Sequence, residues 1–315
     1  MTDAMRVFDR RLVARHRRRA APEIDRHDFL LREVAERLAD RLDDIHRRFP
    51  RALDLGCHHG VLAAMLGRRG GIETLVQADL APEMAARAAT RRGPVPASPT
   101  LVCPTLACDE EALPFAPASF DLILSCLSLH WVNDLPGALL QMRAALKPDG
   151  LLLAAMLGGD TLTELRHCLA EAEIAGSGGL SPRVSPFADT RDAGALLQRA
   201  GFALPVVDSD RIAVSYPDAF ALMRDLRGMG ETNAVIERRR SGLGRAVLFD
   251  AAERYRARHG DEAGRIPATF QVIYLTAWAP DAAQQKPLRP GSAAHRLADA
   301  LDADERAAGE KTKPS

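Results

Sequence analysis

The most restrictive feature of this chain is an alternation. Short apolar runs recur, each followed by a turn and then by residues apolar at helical spacing. Arg51–Leu55 predicts a strand, then a glycine turn and a helix from about Val61. Thr74–Ala78 predicts a second strand, with a helix from Pro82 to about Arg91. Thr100–Cys103 is a short third candidate, after the proline-rich loop Gly93–Pro99. Phe120–Ser125 is a fourth, followed by a helix over Pro136–Leu146 and the turn Lys147-Pro148-Asp149-Gly150. Leu151–Leu157 is a fifth. Such runs, apolar on both faces, describe a mainly parallel sheet covered by helices on both sides. Val206–Val214 and Thr269–Ala279 bring the predicted strands to seven. Between those two lies a polar helical stretch, too long for a plain loop and read as a helical cap over about 217–262.

Ahead of the sheet, Leu30, Leu31, Val34, Leu38 and Leu42 predict a helix over Phe29–Leu42. The expected organisation is a basic helical segment over 1–45, one α/β domain over 46–280 and a disordered polar tail over 281–315. With 315 residues and 47% hydrophobic content the chain can bury a full core. Lys and Arg together number 42, as do Asp and Glu, so the chain lacks the positive surplus of a general nucleic-acid binder. No apolar run approaches the ~20 residues of a membrane helix. The five cysteines (Cys57, Cys103, Cys108, Cys126, Cys168) form no Cys-x-x-Cys pair, which predicts free, mostly buried thiols and no metal site.

In open α/β sheets ligands bind beyond the carboxyl ends of the strands. After the first predicted strand comes Asp54-Leu55-Gly56-Cys57-His58-His59-Gly60, in which Gly56 allows a sharp turn and close approach to a ligand. After the second come Asp79 and Leu80; a carboxylate there can accept both ribose hydroxyls of a nucleoside. Asp109 and Glu110 precede the fourth strand, where an acid can accept a proton from an adenine amine. Ser125 ends that strand. Each acid has a plainer reading: Asp54 orients its loop, Asp79 caps a helix, Asp109 sits in a solvated turn. A dinucleotide site wants glycine where His58 stands, so that backbone amides reach a pyrophosphate. S-adenosylmethionine (SAM) carries no phosphate and tolerates the histidine better.

Leu53–Gly60 resembles motif I of class I methyltransferases, departing from it at His58, and Asp79 matches their motif II acid. Asp109 with Leu113-Pro114-Phe115 resembles their adenine-side motif. Ser128-Leu129-His130-Trp131-Val132 is similar to a loop of the malonyl-carrier-protein methyltransferases of biotin synthesis. Gly158–Arg166, Ser181–Phe187, Asp225–Asn233 and the opening Phe8-Asp9-Arg10 resemble the complex I assembly factor 5 family, and this likeness spans nearly the whole chain. The resemblance implies a Rossmann-like methyltransferase fold with SAM as cofactor. It also implies arginine hydroxylation on a subunit of respiratory complex I, in a bacterial relative of a mitochondrial family. A cytoplasmic protein is expected, with peripheral contact at the inner face of the membrane as an option through its basic N-terminus.

His130 is the best-placed base for an acceptor that must lose a proton, with packing as its alternative role. Trp131 could wall the methionine end or the acceptor. Asp160 and Glu164 are expected one helical turn apart, on one face, where they could receive a guanidinium; a helix cap and a surface glutamate are the alternatives. His259-Gly260-Asp261 is the only His-x-Asp, in a polar stretch that makes a poor iron site. Three functions remain open: arginine hydroxylation with SAM bound, methyl transfer to a small acid or carrier-bound thioester, and a non-catalytic assembly chaperone.

Overall fold

The computed structural model describes residues 6–91, 101–177, 179–285, 299 and 302–303. Residues 1–280 form one compact unit and 281–315 a second. Most of the predicted tail, and the loop over Gly93–Pro99, lie outside the described residues.

The sheet has seven strands: β1 (Arg51–Leu55), β2 (Thr74–Asp79), β3 (Thr105–Ala107), β4 (Phe120–Cys126), β5 (Leu146–Leu157), β6 (Ala203–Tyr216) and β7 (Ile266–Trp278). Their order is β3-β2-β1-β4-β5-β7-β6, parallel from β3 to β5, with β7 antiparallel to both its neighbours. Strand residues alternate between two apolar cores. Leu122, Leu124, Leu151 and Leu153 join the core on one face; Phe120, Ile123, Leu152 and Ala154 join the core on the other. This two-sided burial is why those runs read as continuously apolar. The first core is completed by α2 (Phe29–Asp40), α3 (Val61–Leu66), α6 (Thr163–Ser177) and α9 (Arg245–His259). The second is completed by α5 (Leu135–Ala145) and α7 (Thr190–Arg199). Asp134 and Asp189 start those last two helices, accepting from Gly137 N and Arg191 N.

Two expectations are corrected. The third strand lies at Thr105–Ala107, not Thr100–Cys103; Val102 makes only an isolated bridge to Thr74. A three-residue edge strand, half-buried, carries too little pattern to locate from sequence. The basic helical segment expected over 1–45, ahead of the domain, is part of the same compact unit as the sheet. Helix α1 (Arg10–Ala20) starts at Asp9, whose side chain accepts from Leu12 N, and buries Leu12, Val13, His16, Arg17 and Ala20 on one stripe. It packs against α4 (Pro82–Thr90) and α8 (Ala219–Met229). The stretch between β6 and β7 holds α8 and α9. Helix α8 ends on Gly230 at φ +87°, which a side chain would strain.

Candidate functional site

The chain leaves β1 for β2 on one side and returns to β4 on the other, so the crevice beyond β1 is a topological switch point. Gly56 turns the chain there at φ +73°, and Gly56 N and Cys57 N both donate to Ala78 O. A Cβ on Gly56 would lie 2.2 Å from Ser128 Oγ, so glycine is required twice over. Gly60, at φ +79°, opens α3. His58 takes φ +49°, a left-handed conformation that histidine tolerates better than most residues. Its ring turns into the core, with Nε2 3.1 Å from both Cys126 O and Leu127 O. Two carbonyl neighbours require a proton on Nε2, while burial, helped by the Arg17 charge, holds the ring's pKa below its ordinary value. Cys57 is buried, which pushes its thiol well up, and Leu80 packs beside Phe8 and Trp131.

The acids gather at this edge. Asp79 Oδ1 accepts from Ala81 N, and Oδ2 accepts from His58 N and from Arg17 Nη1 at 3.2 Å. Glu110 Oε1 accepts from Arg17 Nη1 and from Ser128 Oγ, while Oε2 pairs with Arg10. Burial alone would raise Glu110, but Arg10, Arg17 and Ser128 together bring its pKa down to about 2. Asp109, its side chain 37% exposed, pairs with Arg10 at the rim. Arg17 is only 1% exposed; burial opposes its charge, but Asp79, Glu110 and Glu231 hold its pKa above the ordinary value. Asp54 is fully buried, and neither of its oxygens has a hydrogen-bond partner. Burial, then the charge of Asp79, pushes it up to about 7. Ser125 Oγ is buried without a partner as well.

This donor set fits SAM in chemistry. The orphaned Asp54 carboxyl and Ser125 hydroxyl suit an ammonium, and Asp79 with Glu110 suits the hydroxyls and edge of an adenosine. In the conformation described, Arg17 and Ser128 fill the space these acids surround. A nucleoside hydroxyl taking these acceptors would compete with the Arg17 guanidinium that α1 carries.

Two open volumes border this region: one of about 670 Å³ lined by Arg10, Asp109 and Asn133, and one that Trp131 lines. A cavity of about 370 Å³ is lined by Trp131, Leu157, Leu165, Phe187, Leu226 and Glu231, among others. Glu231 Oε2 accepts from His130 Nε2 at 3.0 Å and from Trp131 Nε1 at 2.9 Å. Leu157 N donates to His130 Nδ1. Both ring nitrogens of His130 are therefore engaged in this structure. Glu231 was read only as part of a family segment; its spacing from His130, 101 residues, hid the pair.

Asp160 and Glu164 are not on one helix face, which corrects another expectation. Leu162 at φ +54° breaks the chain between them, and α6 starts only at Thr163. Asp160 points outward to Arg211, whereas Glu164 accepts from Thr269 N and Oγ1. Asp261 caps its own turn through Arg265 N and does not join His259 in a site. Among the described residues Asp25, Asp28 and His59 form a group of metal-ligand types. Its charges are met by Arg87, Arg91 and Arg32, so it is an ion-pair cluster in this structure.

Strand order, switch point and the acids beyond β1 and β2 define a class I methyltransferase-fold enzyme. Residues 53–154 match the family model described as a methyltransferase domain. The YcgJ protein of Bacillus subtilis shares the fold, with TM-score 0.53 at 14% identity over 78% of this chain and 98% of that one. The chain is 45% identical to human mitochondrial arginine-hydroxylase NDUFAF5, over 92% of its length and 81% of the relative's. The Danio rerio protein of the same name is 42% identical over 94% and 89%. A malonyl-[acyl-carrier protein] O-methyltransferase of Laribacter hongkongensis is 38% identical over 87% and 90%. The chain belongs to the family of the arginine-hydroxylases NDUFAF5, within the SAM-dependent methyltransferase superfamily. Among the described residues no helix is long and apolar enough to cross a membrane.

Proposed function

We propose that this protein binds SAM at the crevice beyond β1 and β2 and hydroxylates an arginine of a respiratory complex I subunit, acting as an assembly factor. One observation carries the reading: the buried acids Asp79 and Glu110 close on the buried Arg17, with Arg10 also on Glu110, while Asp54 is fully buried with no cation on it and Glu231 stands half-buried nearby. Such an excess of buried carboxylate is costly unless cations come to it. SAM carries a sulfonium and an ammonium, and arginine carries a guanidinium. Asp54 and Ser125 would take the ammonium, Asp79 the ribose hydroxyls, and Asp109 with Glu110 the adenine edge; Gly56, Cys57, His58, Gly60 and Leu80 shape the loop around them. When bound, SAM supplies an electrophilic sulfonium centre. Trp131 lines the cavity that would hold the substrate side chain and belongs to the apolar cluster on which Leu80 of the crevice packs. Hydroxylation replaces a C–H by a C–O–H and draws its oxygen and oxidising equivalents from a separate oxidant; the residues here bind and orient.

Methyl transfer to a carrier-bound acid is the second reading. It is favoured by Arg227, an exposed cation lining the same cavity, and by the malonyl methyltransferase relatives. A bacterial cytoplasmic protein working at the inner face of the membrane, next to its complex I partner, agrees with either activity of the fold.

Mass spectrometry of complex I peptides from a deletion strain tests the reaction. Loss of a +16 mass on an arginine is the expected result. Loss of +14 on another substrate favours the second reading, and failed assembly with no mass change favours a chaperone. Calorimetry with SAM tests the cofactor: Asp79→Asn should abolish binding, and unchanged affinity overturns the assignment.

A further inference from the structure

Glu231 is a carboxylate with half its capacity in use. Oε2 accepts two N–H groups, from His130 and Trp131, whereas Oε1 has no hydrogen-bond partner among the described residues. The side chain is 13% exposed, and that exposure opens into the cavity it lines. The two donors that hold Oε2 are themselves rigid. His130 is held by Leu157 N and Trp131 by its edge contact with Phe8. The ring of Phe187 meets His130 edge-on at 5.7 Å, so Trp131, His130 and Phe187 form an aromatic collar about the acid. Beyond the collar the walls are Leu157, Leu162, Leu165, Leu169, Leu226 and Phe270.

We propose that this cavity is a subsite for a side chain with an aliphatic stem and a terminal guanidinium, and that Glu231 Oε1 is the residue that receives the cation. The inference deepens the reading of an arginine substrate and names the residue that selects it. A volume of about 370 Å³ lies within the range of ligand pockets and admits a long side chain. A lining that is largely apolar, with Ser185, Thr232 and Asn233 among its polar members and the Glu231 carboxylate in the wall, favours a cation on a hydrocarbon stem. An aromatic collar favours a planar, weakly hydrated guanidinium over a compact ammonium. The two arginines in the lining do not cancel this. Arg183 is taken by Glu173 through Nε and Nη2, and Arg227 is exposed, on the solvent side. His130 and Trp131 act through Glu231 as positioning residues.

Calorimetry on the full chain with N-acetyl-arginine methylamide tests this without turnover, so it can fail or succeed independently of the hydroxylation itself. Wild-type protein should bind the arginine probe at least tenfold more tightly than the citrulline probe, which has nearly the same shape without charge, and than the lysine probe. Glu231→Gln keeps the volume and an acceptor for His130 and Trp131, and should erase the preference for arginine over citrulline. Leu169→Phe, which fills the cavity and leaves the acid intact, should weaken the arginine probe as well. Equal binding of arginine and citrulline by wild type overturns the proposal, as does a retained arginine preference in Glu231→Gln. Tighter binding of glutarate, lost in Arg227→Ala, overturns it in favour of an anionic substrate.

Discussion

Asp54 is a buried acid that the Gln77 amide approaches without a full hydrogen bond, and its titration gives a prediction of definite sign. In the unfolded chain it ionises near its ordinary value of 3.8, whereas in the folded protein it keeps its proton up to about 7. Between those values the folded state binds more protons, so this group's contribution to stability falls as pH rises. Asp54→Asn removes the penalty. The variant should be more stable than wild type at pH 8, by about 2–4 kcal/mol, and nearly equal to it at pH 4, as read by denaturant unfolding at both. A variant that loses stability at pH 8 sinks the account. The same variant should lose SAM affinity, because the orphaned carboxyl is the group suited to the ammonium. Asp54 was legible from its position after an apolar run. Its lack of a partner was not, since that depends on what packs around it.

Helix α1 is the element whose role sequence reading missed. Its arginines look like a solvated face, because composition records charge and says nothing of which residue turns inward. The periodicity does place Leu12, Val13, His16, Arg17 and Ala20 on one stripe, but only the acids of β2 and the Glu110 turn make an arginine acceptable there. Arg17→Ala leaves buried Asp79 without a cation, while Glu110 keeps Arg10, and should destabilise the protein by roughly 3–5 kcal/mol in thermal or chemical unfolding. It also frees Asp79 and Glu110, so SAM affinity relative to wild type should rise. A fall would mean that Arg17 contacts the ligand instead of competing with it. In wild type, saturating SAM should speed amide exchange across Arg10–Ala20 while slowing it in the turn 56–60, measured by hydrogen-exchange mass spectrometry. Unchanged exchange in α1 would contradict that competition. The short β3 went astray for a related reason: three half-buried edge residues are held by pairing Gln77 with Thr105 and Asp79 with Ala107, not by their own pattern.

At the scale of the whole molecule, the compact unit ends at Pro280. Ala279, just past β7, is still tied to the turn before Leu151, donating to Gly150 O and accepting from Asp149 N. A chain ending at Pro280 should therefore unfold cooperatively, with stability within about 0.5 kcal/mol of the full chain. A chain ending before Ile266 loses β7, the strand between β5 and β6, and should show no cooperative transition. Either result reversed would remove the boundary.

By itself the sequence determined the alternation of strands and helices, the glycine turn after β1 and the acids beyond β1 and β2, because local periodicity and backbone sterics act within a few residues. Only the tertiary structure decided that Arg17 closes on Asp79 and Glu110, that His130 and Trp131 hold Glu231, and that Asp160 and Glu164 part company. Those contacts join residues up to 101 positions apart, and an ion pair's worth is set by how deeply packing buries it.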